Sequence, residues 1–307
     1  MASSPQVTTA VVKPRRTLAR RLLAWGLAFV VLVVVLFAVA VLNNNYSPGK
    51  RSRAQFNAQL DRAIEASTQW IVQHPDTYGN PSLMFMVGDM ADMSLDPRLR
   101  QFVENYVASN RVRIPGRPIT WYYARLVDPQ ARVPMISAEQ SGVGWELQWD
   151  TWATAPDRML LNPADRADMF SPTKYIWGRR DHQLLALDIY RHFNGQSAEL
   201  DQAIGPVSEG VARDAHWDFR VTDAYYQRSA FVLGAGRPEL IRRRWIERIL
   251  DYQKADGSWS YCWYGWCRGI FEFRMQDSDP GHATVQATWA LYMLKYRYSQ
   301  WIDQHYR

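Results

Sequence analysis

Gln253-Lys254-Ala255-Asp256-Gly257-Ser258-Trp259 is the stretch on which the fold reading turns. It is a tight polar turn between two unlike apolar patterns. Before it, Pro238–Gln253 places Ile241, Trp245, Ile249 and Tyr252 on one stripe, with Arg242-Arg243-Arg244 outside the stripe. That is an amphipathic outer helix. After it, Gly281–Arg297 carries no formally charged side chain from His282 to Leu294, and its apolar residues occur all round. A helix of that kind is buried, and this one is too short to cross a bilayer. Gly257 permits a tight backbone, and Trp259 can lie over a helix end beside Gln253. An outer amphipathic helix followed by an inner apolar one is the repeating unit of a two-layer helical barrel.

Working outward, helical spacing is present at Gln55–Gln73, after Pro81, after Asp96-Pro97, and at Asp181–Phe193, Ser197–Arg213 and Thr222–Leu233. Met84, Met86, Met90 and Met93 fit core packing better than a copper site. Residues 111–158 read differently. Pro115, Pro118, Pro129 and Pro134 and a cluster of aromatics predict an irregular insertion with a short hairpin around Arg132–Ile136.

The turn resembles the QW repeat of the triterpene cyclases, with Gln253, Gly257 and Trp259 in place, and Asp279-Pro280-Gly281-His282-Ala283-Thr284 looks like the start of the inner helix that follows such a turn. The resemblance covers about residues 222–299. Gln73-His74-Pro75-Asp76-Thr77-Tyr78-Gly79 is a degraded echo. What the resemblance implies is an all-α chain with an α/α toroid, in the terpenoid cyclase and protein prenyltransferase superfamily. The helix count is lower than a full double ring needs. The resemblance speaks for fold more than activity. The cyclase D-x-D-D acid motif is absent, since Asp277-Ser278-Asp279-Pro280 breaks it at proline, and no D-D-x-x-D or thioester motif is present. No cofactor and no metal is expected.

At the other end of the chain, Leu22–Leu42 holds 21 residues with no charged or strongly polar side chain. At about 1.5 Å per residue, that spans a hydrocarbon core of about 30 Å. Lys13, Arg15, Arg16, Arg20 and Arg21 precede it, which predicts a cytoplasmic N-terminus. A cleaved secretory signal ending near Ala38-Val39-Ala40 is the rival reading, and the apolar stretch is long for it. The expected organisation is a basic tail (1–21), a transmembrane helix (22–42), a polar linker (43–53) and an exported helical domain (54–307). The chain has 36 basic and 30 acidic side chains. Removing the five basic groups of the tail leaves 31 against 30, so the exported part is near neutral and nucleic-acid binding is excluded. Export to an oxidising compartment makes a disulfide between Cys262 and Cys267 the favoured reading, over free thiols or a metal site.

In a toroid the inner helices run parallel, so polar residues at their starts gather at one mouth. The candidate catalytic residues are His282, His182, Asp181, Asp279 and Glu272; the candidate substrate-binding residues are Asp223, Tyr226, Gln286, Arg274, Trp145 and Trp149. Trp121 and Tyr122 are further aromatics able to stack on sugar rings. Capping alone also accounts for Asp181 and Asp279. The leading expectation is a membrane-anchored, carbohydrate-active enzyme or glycan-binding protein of the cell envelope. The alternatives are a non-catalytic scaffold binding another envelope protein, and an isoprenoid- or lipid-binding toroid.

Overall fold

The computed structural model describes residues 16–49, 51–77, 81–109, 119–137, 145–172, 174–175, 178–260 and 280–306. It is mostly helical and divides into two compact units, residues 1–42 and 43–307. The first unit holds most of α1 (Arg16–Asn45), a helix long and apolar enough to cross a membrane. Its side chains from Leu22 to Val39 are exposed, forming one contiguous apolar surface.

The second unit contains the core. Its helices are α2 (Arg53–Gln73), α3 (Pro81–Ser94), α4 (Pro97–Ala108), α5 (Ile119–Val127), α6 (Trp145–Thr154), α7 (Pro163–Met169), α8 (Gly178–Asn194), α9 (Ala198–Trp217), α10 (Asp223–Gly234), α11 (Arg243–Asp251), α12 (Pro280–Tyr292) and α13 (Ser299–His305). Sequence chemistry sets several of the boundaries. Ser52 and Gln55 form a capping box at α2, and Asp96 caps α4 ahead of Pro97. From Tyr225 to Gly234 every side chain of α10 is buried, and α12 is buried from Ala283 to Tyr292. In contrast α2 buries only one face, through Phe56, Leu60, Ala63, Ile64, Trp70 and Ile71. Met84, Met86 and Met90 lie in the core.

The packing pairs run α3 on α5, α5 on α6, α6 on α8, α8 on α10, α10 on α12, and α12 on α3. Outside them, α4 packs on α3 and α5, α9 on α8 and α10, α11 on α10, and α2 on α12, α4 and α11. Close approach of α10 to α8 and α12 depends on Gly234, where a Cβ would come within 2.8 Å of both Asp188 Oδ2 and the Trp289 ring.

The 253–259 turn acts as a clasp between α11, α12 and α2. Gln253 Nε2 donates to Ala63 O at 2.9 Å and to Gly257 O at 3.0 Å. Trp259 is fully buried; its Nε1 donates to Ile249 O at 2.7 Å, and its backbone N–H to Thr284 Oγ1 at 3.0 Å. Gly257 has φ +90°, and a Cβ there would lie 2.4 Å from Ala66 O on the backbone of α2. Gly257→Ala must therefore adopt a disfavoured φ and push α2 aside. The expected loss is about 2–4 kcal/mol, read by urea unfolding.

Three expectations are corrected. Among the described residues no hairpin forms around Arg132–Ile136. Ile136 and Ser137 (β1) instead pair in parallel with Met159 and Leu160 (β2), and Pro134 lacks the N–H that a longer strand would need. Among the described residues of 111–158, α5 and α6 are helical where irregular chain was expected. The 43–53 segment does not begin as a free linker. Asn43–Asn45 form the last turn of α1, and Asn44 is fully buried, donating to Ala215 O and accepting from Arg248 Nη1 at 2.5 Å. In addition, the stretch Pro238–Gln253 is a 3-10 turn (Pro238–Leu240) and then α11, broken where Ile241 turns extended.

Candidate acid–base site

Three helix starts carry the site: α8, α10 and α12. Asp223 and Gln227 are one turn apart on α10, and His282 and Gln286 are one turn apart on α12, so each pair shares a helix face. Asp223 Oδ1 lies 2.6 Å from His282 Nδ1. Both groups retain limited solvent access, with 21% of the His282 side chain and 11% of the Asp223 side chain exposed. The Gln286 amide nitrogen is 3.4 Å from His282 Nε2, and that of Gln227 is 3.4 Å from His182 Nε2. These contacts link α8 to α10 through His182 and Gln227, and α10 to α12 through Asp223 and His282. Gln286 is 1% exposed, and its Oε1 has no hydrogen-bond partner among the described residues.

A carboxylate on Nδ1 holds the imidazole with its N–H toward Asp223, and the lone pair then sits on Nε2. Asp223 on Nδ1 and the Gln286 amide nitrogen beside Nε2 both bear on the orientation of the His282 ring.

Asp181 does not join this group. It lies in the first turn of α8, not at its cap, and is fully buried against Arg228, with Nε to Oδ2 at 3.1 Å. Its Oδ1 has no hydrogen-bond partner among the described residues. Arg228 Nη1 also bonds Asp218 Oδ2 at 2.8 Å, and Asp218 is gripped again by Arg220. Burial, opposed by Arg228, pushes Asp181 up to about 7. Burial also works against the charge of Asp218, yet Arg220 and Arg228 outweigh it and hold Asp218 below the ordinary value. The Asp181 shift has a sign that can be tested. The folded chain keeps a proton that the unfolded chain releases near pH 3.8, so this contribution to stability is present at low pH and is lost as pH rises toward 7. Urea unfolding from pH 4 to 8 is expected to show that fall in the native chain and not in Asp181→Asn; parallel curves would remove Asp181 as its source.

Other expected members also lie elsewhere. Tyr226 is 1% exposed and sits edge-on to Trp259, so it is core, not lining. Trp149 is 2% exposed, bonds Asp165 O through Nε1 and meets Tyr175 edge-on. Tyr122 is buried and donates to Pro134 O. Neither Trp149 nor Tyr122 offers a stacking face. The side chains of Trp121 and Trp145, and residues Cys262, Cys267, Glu272, Arg274, Asp277 and Asp279, lie outside the described residues. Arg228 and Asp218 were not foreseen; the available signal was the arginine directly ahead of the largely apolar run 229–235. Asp150, 1% exposed on α6 and accepting from Ser82 at 3.4 Å, carries no such signal in the sequence. Among the described residues no three His, Cys, Asp or Glu side chains are grouped to hold a metal.

Comparison with protein-family models, with curated proteins and with solved structures finds no match to this chain.

Proposed function

We propose that the chain is a single-pass membrane protein with its N-terminus in the cytoplasm, whose exported domain is an α/α toroid using His282 as an acid–base group on a glycan of the cell envelope. The observation that carries the reading is the 2.6 Å contact between His282 and Asp223 at adjoining helix starts. The toroid reading is supported by packing pairs that run from α3 through α12 and back to α3, with further helices outside them. The anchor reading is supported by the exposed apolar helix and its basic flank.

The substrate class is inferred from the groups around His282. The half-buried His182 is a second polar ring able to meet a hydroxyl group, while the buried Gln227 and Gln286 carboxamides bond the two imidazoles. Arg180 and Arg228, two described cations of the neighbouring turns, are held by Asp214, Asp181 and Asp218 and so are not directed at a phosphate. His282 at Nε2 would take a proton from a sugar carbon or from water, for epimerisation or cleavage, and return it in the second half of the reaction.

Thermal-shift screening of the full chain in detergent against envelope glycans and lipid extracts tests this reading. A glycan-specific shift that disappears in His282→Ala is expected, with the unliganded melting temperature nearly unchanged because His282 is partly exposed. Where a turnover assay follows, His282→Ala is expected to lower the rate by about 10²–10⁴-fold. No shift with any glycan, from a folded chain, would turn the reading toward a scaffold; a shift only with lipid extract would turn it toward a lipid-binding cavity.

A further inference from the structure

We infer that Trp217, Tyr46, Phe219 and Arg220 form a surface of the exported domain that sits in the headgroup layer of a phospholipid membrane; this rests on the reading of residues 22–42 as an anchor.

The inference starts from exposure. In the second unit, large apolar side chains are exposed at only a few described positions, and two of them are aromatic rings beside the first residues of the unit: Tyr46 at 64% and Trp217 at 52%. Hydrogen bonds hold these two stretches together. Asn44 Nδ2 donates to Ala215 O at 2.9 Å, and Asn45 Nδ2 to His216 O at 2.8 Å, immediately before Trp217. Arg248 ties the next stretch to the same place, donating through Nη1 to Asn44 Oδ1 and through Nη2 to Phe219 O. Arg244 Nε adds a bond to Asn43 O, and Trp245 Nε1 one to Asn45 Oδ1. Residues 43–46 and 217–220 are therefore one built surface.

The occupant follows from chain continuity and composition. Residue 42 ends the apolar span and residue 43 begins the folded unit, so the surface that holds residues 43–46 is within a few residues of the bilayer boundary. What it presents there is a Trp ring, a Tyr ring, a half-buried Phe and the half-exposed guanidinium of Arg220. Amphipathic aromatics with a cation beside them are the side chains that favour the headgroup layer, with the ring toward the acyl chains and the polar end in water. A protein partner would gain from the rings too, but covalent proximity to residue 42 gives the bilayer an effective concentration no diffusing partner has.

Fluorescence of the full chain in phosphatidylcholine vesicles tests this. The signal of Trp217 is isolated as the difference between the native chain and Trp217→Phe, and that of Trp25, within the span, as the difference from Trp25→Phe. Trp217 is expected to lose most of its emission when the acyl chains are brominated near the headgroup, and little to aqueous iodide. Trp217 quenched by iodide and untouched by brominated lipid, while Trp25 is quenched by brominated lipid, would overturn this inference and leave the anchor standing. Neither tryptophan quenched by brominated lipid would overturn both.

Discussion

Arg228→Met is expected to cost about 3–5 kcal/mol of folding stability at pH 8, because it strips the shared counter-charge from two buried carboxylates. The side chains of Arg228, Asp181 and Asp218 are 3%, 0% and 3% exposed, so water cannot take over. The guanidinium also ties the start of α10's second turn to α8 and to the loop that follows α9. The loss should shrink at pH 5, where Asp181, already shifted up to about 7, accepts a proton and no longer carries a stranded charge. In an Asp181→Asn, Asp218→Asn background the same change should cost much less, since the neutral amides need no cation. Urea unfolding of the four chains measures this. A loss below about 1 kcal/mol in the native background would mean the pairs are not buried as described.

Trp259→Ala is expected to cost a similar amount, about 3–5 kcal/mol, or a fall of roughly 10 °C in melting temperature for a unit of this size. Three effects add. A fully buried indole leaves a cavity between α10, α11 and α12; Ile249 O loses its donor; and the turn that Gln253 fastens to α2 loses the ring over its end. Trp259→Phe separates them, because it retains much of the packing and deletes only the Nε1 donor. Its cost should be nearer 1–3 kcal/mol. Equal losses for Ala and Phe would place the whole effect in the hydrogen bond.

Much of this architecture was readable before any coordinates. The 253–259 stretch announces a turn with Gly257 at a position closed to other residues, and the contrast between its flanking helices separates a half-buried element from a fully buried one. The polar residues that meet in the site, His282, Asp223, His182, Gln227 and Gln286, could be selected because they stand at helix starts. Their pairing could not, since it depends on how α8, α10 and α12 are placed against one another. The failures also have physical causes. Prolines around residues 115–134 mask α5 and α6, because proline signals a break without saying what lies between breaks. Asn43-Asn44-Asn45 reads as turn chemistry, yet asparagine amides are equally able to finish a helix when backbone carbonyls at 215 and 216 wait for them. Ring type alone suggests Trp149 and Tyr122 as a stacking surface, and a place at a helix start suggests Tyr226 as substrate-binding; burial decides against all three.

The most direct test of the acid–base reading is product analysis of envelope glycans incubated with the full chain, beside His282→Ala and Asp223→Asn. The account predicts a glycan cleaved or epimerised by the native chain. Turnover is expected to fall by about 10²–10⁴-fold in His282→Ala, with a smaller loss in Asp223→Asn, which takes the orienting carboxylate from the imidazole. Full turnover by His282→Ala, or no change in any glycan by a folded native chain, would contradict it.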